Sequence, residues 1–332
     1  MTTTPSLQSL IDATPMGGTL TLDRDYLDLT ATLTINKPIT INGTGHTLKW
    51  VTDGTELATP NLRRTRTHLR IINTEDVTVA GLNIIGTHAG GGTSDAAYNA
   101  LLEAQHGVEV LASKRVAVNS VTVSYVYGDC LYIGGYDAPS QVVAANGFTG
   151  HHNGRQGVAV TNATDITLTN LALHDIRRTI FDLEPNRPTD IIHGFAVDGA
   201  TIGVFRLGFF SVMSAGGSVT DVTLRNITSW TVFLNINAPK FGTRPANFVF
   251  DNIVSLNGQG SRTQALMALY KVDGFTLSNS TICGQPGRGM NLLELLDCTN
   301  VVATNNRLRN VTAILKPTST SPITESGNTF TT

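Results

Sequence analysis

The 332-residue chain carries 23 Lys and Arg against 25 Asp and Glu, a net charge of −2. Only 14% of its residues are charged, against about 25% in an ordinary globular protein, while 41% are hydrophobic, enough to bury a core and exclude disorder. No apolar run reaches the roughly 18 residues of a membrane span and no basic cluster exceeds Arg63-Arg64-x-Arg66, so neither a membrane span nor a nucleic-acid partner is expected.

The N-terminus, Met1-Thr-Thr-Thr-Pro5, has no basic stretch followed by an apolar one, so no secretory signal is expected. Ser6-Leu-Gln-Ser-Leu-Ile-Asp-Ala13 predicts a short amphipathic helix. Ser6 can act as N-cap, Leu7, Leu10 and Ile11 share a face, and Pro15 with Gly17-Gly18 ends it. Residues 1–20 are read as a plug on the open end of a stack of strands.

From Ile39 onward a pattern recurs: a polar pair, alternating β-formers, then Asn or Ser. Clear copies are Glu75-Asp-Val-Thr-Val-Ala80, Lys114-Arg-Val-Ala-Val-Asn119, Thr164-Asp-Ile-Thr-Leu-Thr169 and Thr220-Asp-Val-Thr-Leu-Arg225. The first apolar residues are Ile39, Val77, Val116, Val142, Ile166, Ile191, Val222, Phe248, Phe275 and Val301, with spacings of 38, 39, 26, 24, 25, 31, 26, 27 and 26. Strict period-two alternation buries one face of each strand, and a lone copy cannot bury it; stacked copies can. Threonine is the commonest residue, glycine numbers 32 and helix formers are few, which fits an all-β chain. The prediction is a single-stranded parallel β-helix of about ten coils over residues 21–316, about 48 Å long at one strand spacing per coil. Corner asparagines are expected to adopt the left-handed region and bond their neighbours in adjacent coils. A polar segment, 317–332, closes the chain with one short strand, Gly327-Asn-Thr-Phe330.

Two inserts interrupt the rhythm, Val51 to Thr67 with Arg63, Arg64 and Arg66, and Thr87 to Gln105 with His88-Ala-Gly-Gly-Gly-Thr93. Loops on one side of a solenoid often build its binding face. Cys130, Cys283 and Cys298 have no metal-ligand spacing and read as small core residues. No metal or other cofactor is expected.

The candidate chemistry lies between Tyr127 and Asn186. Aligning inward residues stacks Leu131, Val158 and Phe181, and beside them Ile133, Val160 and Leu183. Tyr132, Ala159 and Asp182 then form one outward column, with Gly134, Thr161 and Glu184 in the next. Asp182 and Glu184, two strand residues apart, have Cα atoms about 6.8 Å apart, which suits the paired carboxylates of glycoside hydrolysis. Asp129, Gln156 and Arg155 lie beside them; Arg155 could bind an acidic sugar or hold one carboxylate ionised. Tyr132 offers a stacking face, and His151, His152 and His174 could move protons, although His151 and His152 should alternate faces. Trp230, Phe233 and Phe241 are further stacking candidates. The plain alternative is that Glu184 pairs with Arg155, Arg177 or Arg178 for structural reasons.

The opening Leu7-Gln-Ser-Leu-Ile-Asp-Ala-Thr-Pro-Met-Gly-Gly-Thr-Leu-Thr-Leu22 with Ala31-Thr-Leu-Thr-Ile-Asn-Lys-Pro-Ile-Thr-Ile41 resembles the first coil of the pectate-lyase-like right-handed β-helix superfamily. Gly128-Asp129, Gly154-Arg-Gln-Gly157 and Asp182-Leu-Glu-Pro-Asn186 are similar to a subgroup found in actinobacterial and phage proteins. The resemblance implies a phage minor tail or tail-spike protein, usually homotrimeric, borne on the virion among other tail proteins and contacting host-surface polysaccharide. It also leaves open a polysaccharide hydrolase or lyase using Asp182 and Glu184, with Asp129, Tyr132, His152, Arg155 and Gln156 binding ligand, and a purely structural tail subunit. The calcium-binding aspartate cluster of pectate lyases and the paired-aspartate motif of polygalacturonases are absent from the sequence.

Overall fold

Period-two alternation becomes three walls of parallel strands, wound into a right-handed β-helix in the computed structural model, which describes residues 6–54, 66–213, 216–237, 243–258 and 265–331. Each turn contributes one strand per wall, as Val108–Leu111, Lys114–Asn119 and Thr122–Ser124 show for walls one, two and three. Wall one is an eleven-stranded sheet running from Leu33–Ile35 to Val311–Leu315 among the described residues, one turn more than the ten copies of the motif. Walls two and three share a 20-stranded sheet, because long strands such as Ala163–Ile176 continue around the corner between them.

The core is made of columns. On wall one Leu33, Leu69, Val108, Leu131, Val158, Phe181, Phe210, Leu234, Met267 and Leu293 stand in register, one per turn, all buried. Ile133, Val160 and Leu183 stack beside them as the alternation requires. Midway along, phenylalanines thicken the core: Phe181 meets Phe209 edge-on at 5.9 Å and Phe210 meets Phe250 at 5.3 Å. The three cysteines are buried and unpaired.

On wall two, two of the ten repeat positions are corrected. Val116 pairs with Val143, not Val142, and Ile166 pairs with Phe195, not Ile191. Val142 sits at the corner with φ 55° and Ile191 is exposed. At both places a β-branched residue stands ahead of the buried column, so composition misplaces the frame. That corner position is left-handed in Asp76, Arg115, Asp165, Asp221, Asn247 and Asn300, and a second one in Ser120, Asn170, Asn226, Asn252, Asn279 and Asn305. Asn and Asp tolerate this conformation because their short side chains bond locally. Here they also bond between turns: Asn252 Nδ2 donates to Asn226 Oδ1 at 2.8 Å and Asn279 Nδ2 to Asp251 Oδ1 at 2.7 Å.

The first turn's open edge is closed by the helix Leu7–Ala13. Ser6 Oγ accepts the Ser9 N–H, and Leu7 and Ile11 are buried in the core. Gln8 acts as a strand mimic: its Oε1 accepts from Thr34 N at 2.8 Å and its Nε2 donates to Thr34 O at 3.0 Å. This satisfies backbone groups that an edge would leave open. At the other end Thr324–Ser326 and Thr329–Thr331, two strands where one was expected, pair onto Thr299–Thr304 and Arg307–Arg309. No helix among the described residues is long and apolar enough to cross a membrane.

Candidate active site

The outer face of wall one carries the chemistry. Its register sets Tyr132, Ala159, Asp182 and Ser211 in one outward column on successive turns. Glu184 follows Asp182 by one strand period at the end of Thr179–Leu183. Where the chain enters this wall from wall three, the alternation is interrupted: Ile180 and Phe181 are both buried in the core, and Thr179, Gln156 and Asp129 turn outward beside the column.

Arg155 organises the cluster. Its Nη1 donates to both Asp129 oxygens at 3.0 and 2.8 Å, its Nη2 to Glu184 Oε2 at 3.4 Å, and its Nε lies 3.5 Å from Glu103 Oε2. Asp129 also accepts the Gln156 N–H at 2.9 Å and lies 3.1 Å from His106 Nδ1. Burial alone would raise the Asp129 carboxyl; Arg155 and His106 overcome it and hold the group below its ordinary value. Asp182 accepts from Gln156 Nε2 at 2.6 Å and Ser211 Oγ at 2.8 Å. Burial nevertheless raises its pKa, with Arg155 and Ser211 opposing and the Asp129 charge adding to the rise. Burial and the neighbouring Asp182 charge push Glu184 up to about 7. Four carboxylates thus surround one guanidinium, and burial with their mutual repulsion raises both Asp182 and Glu184 above their ordinary values.

The cluster opens on a groove of two lobes, with Arg155 and Glu184 bordering both. One lobe, of 340 Å³, is lined by Tyr132, Tyr136, Thr161, Asn186, Arg187, Asp190 and Glu103. The other, of 200 Å³, is lined by Gln156, Arg178, Asp182, Ser211, Phe233 and Asn235 among others. Asp190 shapes the first lobe by accepting from the backbone of Asn186 and Arg187 and pairing with the Arg187 guanidinium.

Of the residues singled out in the sequence, Asp129, Arg155, Gln156, Asp182 and Glu184 come together. Asp129 and Gln156 are buried supports rather than exposed contacts. Tyr132 is buried, stacked on His106 at 4.4 Å and bonded through its hydroxyl to Thr161 Oγ1, so the groove meets its edge rather than an open face. Arg155 is spent on carboxylates, which favours its charge-holding role over recognition of an acidic sugar. Arg177 pairs with Asp95, and Arg178 lies over the Tyr98 ring at 4.8 Å, so neither is Glu184's bonded partner. His152 stands apart on wall three with His151 and His174. Phe233 lines the second lobe; Trp230 does not line either, and Phe241, Arg63 and Arg64 lie outside the described residues. Sequence reasoning misses Ser211, one turn beyond the three aligned strands, which extending the register would find. It also misses His106 and Glu103. Glu103 comes from the second insert, where no repeat places it.

No protein-family model matches the sequence, and no curated protein is detectably similar to it. Solved structures do share its fold. A Family 28 exopolygalacturonase from Yersinia enterocolitica superposes with a TM-score of 0.61 at 12% identity, covering 98% of this chain and 73% of that one. The A-module of a mannuronan C-5 epimerase from Azotobacter vinelandii gives 0.53 at 14% identity over 98% and 94%. A lacto-N-biosidase from Eubacterium ramulus gives 0.53 at 12% identity over 95% of this chain and 60% of its own, so this chain spans about three-fifths of that enzyme. These likenesses show the fold, a right-handed parallel β-helix. At such identities the likeness is one of fold, and activity has to be argued from the site.

Proposed function

We propose that the chain is a carbohydrate-processing β-helix that hydrolyses a glycosidic bond in the wall-one groove. The observation that carries this reading is the pair Asp182 and Glu184, both raised by burial, on a groove with a lobe to either side of Glu184. A pair holding one proton supplies an acid and a carboxylate at the same pH. Glu184, the more accessible, donates its proton to the glycosidic oxygen as the bond to the anomeric carbon breaks. Asp182, ionised, takes a proton from the water that attacks that carbon from the other side. The groove is lined by Glu103, Asp182, Glu184 and Asp190 against Arg155, Arg178 and Arg187, and Arg155 is already held by carboxylates. This lining carries no cationic excess for a polyuronate, which favours a neutral glycan. Reducing-sugar release should be measured over neutral and acidic polysaccharides with the wild type, Asp182→Asn and Glu184→Gln. Turnover of a neutral glycan, lost in both variants, is expected. No turnover, or turnover indifferent to both changes, sinks the reading.

One observation favours a second reading. Both Asp182 oxygens are bonded within the protein and Arg155 is held by Asp129 and Glu184, as in a static recognition surface. In that reading the chain binds host-surface glycan without cleaving it, as a homotrimeric tail-spike-like or minor tail component of a phage virion among other tail proteins. Saturable glycan binding without turnover, a trimeric mass in solution and labelling of virions in electron micrographs would support it. Absence from particles would remove it.

A further inference from the structure

Wall three gathers a second set of chemical groups away from the groove. His151, in the strand Thr149–Asn153, pairs in register with His174 in Ala163–Ile176, and the two rings stack 4.9 Å apart and 3° from parallel. Strand alternation would send His152 to the opposite face from His151. Instead His152 has φ 52°, which interrupts the alternation and leaves both rings half-buried at the surface. Its Nδ1 lies 2.9 Å from His151 Nδ1. Asp175 repeats the device one turn later, also at φ 52°. Its Oδ2 is 2.7 Å from His174 Nδ1 and 3.9 Å from His152 Nε2. Ligating atoms of His152, His174 and Asp175 all lie within 4.8 Å of one another.

These contacts describe a donor set. Two ring nitrogens 2.9 Å apart cannot both carry a proton, so at least one lone pair faces the cluster. Neutral imidazoles with a carboxylate are the ligands of borderline divalent transition metals, at about 2.0–2.2 Å from the ion. Tetrahedral ligands at that radius stand about 3.3 Å apart. The 2.7 and 3.9 Å contacts of Asp175 Oδ2 with His174 Nδ1 and His152 Nε2 bracket this spacing, and rotation of half-exposed rings adjusts them.

We propose that His152, His174 and Asp175 bind one divalent transition-metal ion of the zinc class, which staples two successive turns of wall three, with His151 orienting His152 through its other ring nitrogen. The second insert lies against this site. A Cβ at Gly91 would fall 2.1 Å from the His152 carbonyl oxygen, so only glycine allows the approach, and Gly92, at φ 107°, passes beside Asp175. The same insert delivers Glu103 to Arg155 on wall one. A bound ion would thus tie down the wall on which that insert rests, whichever function the groove serves.

The full-length chain, stripped with a chelator and dialysed, should be titrated with Co²⁺ followed by visible absorbance and with Zn²⁺ by calorimetry. One ion per chain is expected, with Tm rising by about 2–5 °C at a hundredfold excess over Kd. Ca²⁺ and Mg²⁺ should leave Tm unchanged. His152→Ala and His174→Ala should each weaken binding at least tenfold, whereas His193→Ala, at a different His–Asp pair, should not. No saturable binding of either metal up to about 1 mM, or binding unaffected in both cluster variants, overturns the proposal. Zinc-soaked wild-type crystals give a readout independent of variant folding: an anomalous peak among these three side chains supports the site, and a peak only elsewhere, or none, rejects it.

Discussion

The clusters on walls one and three are built from the same turns by the same stacking, yet they have opposite characters. On wall one Asp129 and Asp182 are buried and each of their oxygens meets a donor. On wall three the imidazoles are half-exposed and meet nitrogen to nitrogen. Stacking brings side chains together at one strand spacing per turn in both places. The difference lies in the cover: the insert bearing Glu103 and the Glu184–Asp190 loop roof the first cluster, whereas the glycine segment only edges the second. Burial raises the stacked carboxyls of wall one, and its partial absence leaves the imidazoles of wall three accessible at the surface.

The contrast can be broken most severely at Arg155. Arg155→Met leaves Asp129 buried without its cation and should cost about 3–5 kcal/mol in denaturant unfolding. A loss under about 1 kcal/mol would mean that the cluster is open to water. Next comes chemistry: Glu184→Gln should lower kcat by about 10²–10⁴-fold on whichever glycan the wild type cleaves, as loss of a general acid does. A smaller effect appears in stability against pH. The folded-state pKa of Glu184 is raised to about 7 from an ordinary 4.5. Its protonated form therefore contributes stability that is complete below about pH 4.5 and is lost as pH rises through about 7. Glu184→Gln stays neutral, so it should gain about 1–2 kcal/mol relative to wild type between pH 4.5 and 7.5, after discounting for partial exposure. The smallest effect is expected on wall three. Metal-free His152→Ala should lie within about 0.5 kcal/mol of wild type, since its ring is half-exposed. A larger loss would show that the histidines are structural in their own right.

Much of wall one was legible in the sequence. Leu131, Val158 and Phe181 stack as the alternation requires, and with them Asp182 and Glu184 fall on one outer strand. From Leu131 to Phe210 the period-two pattern repeats every 23–29 residues, which leaves little freedom of register, because a one-residue slip would turn the core outward. Legibility ends where the backbone leaves that pattern. Val142 and Ile191 read as core residues because they are β-branched, although one stands at a left-handed corner and the other is exposed. Alternation assigns His151 and His152 to opposite faces, and the positive φ of His152 leaves both at the surface. Asparagine, aspartate and glycine announce such corners; histidine and valine do not.

The sequence by itself determined the solenoid, its plug helix, the asparagine ladders and the outer strand that carries the two carboxylates, because each follows from local periodicity and short-range stacking. Only the tertiary structure decided that Arg155 pairs with Asp129, Glu103 and Glu184, that Tyr132 is buried, and that burial raises both Asp182 and Glu184. Those outcomes depend on water exclusion and on through-space distances to an insert 50 or more residues away from Arg155, quantities that no repeat period encodes.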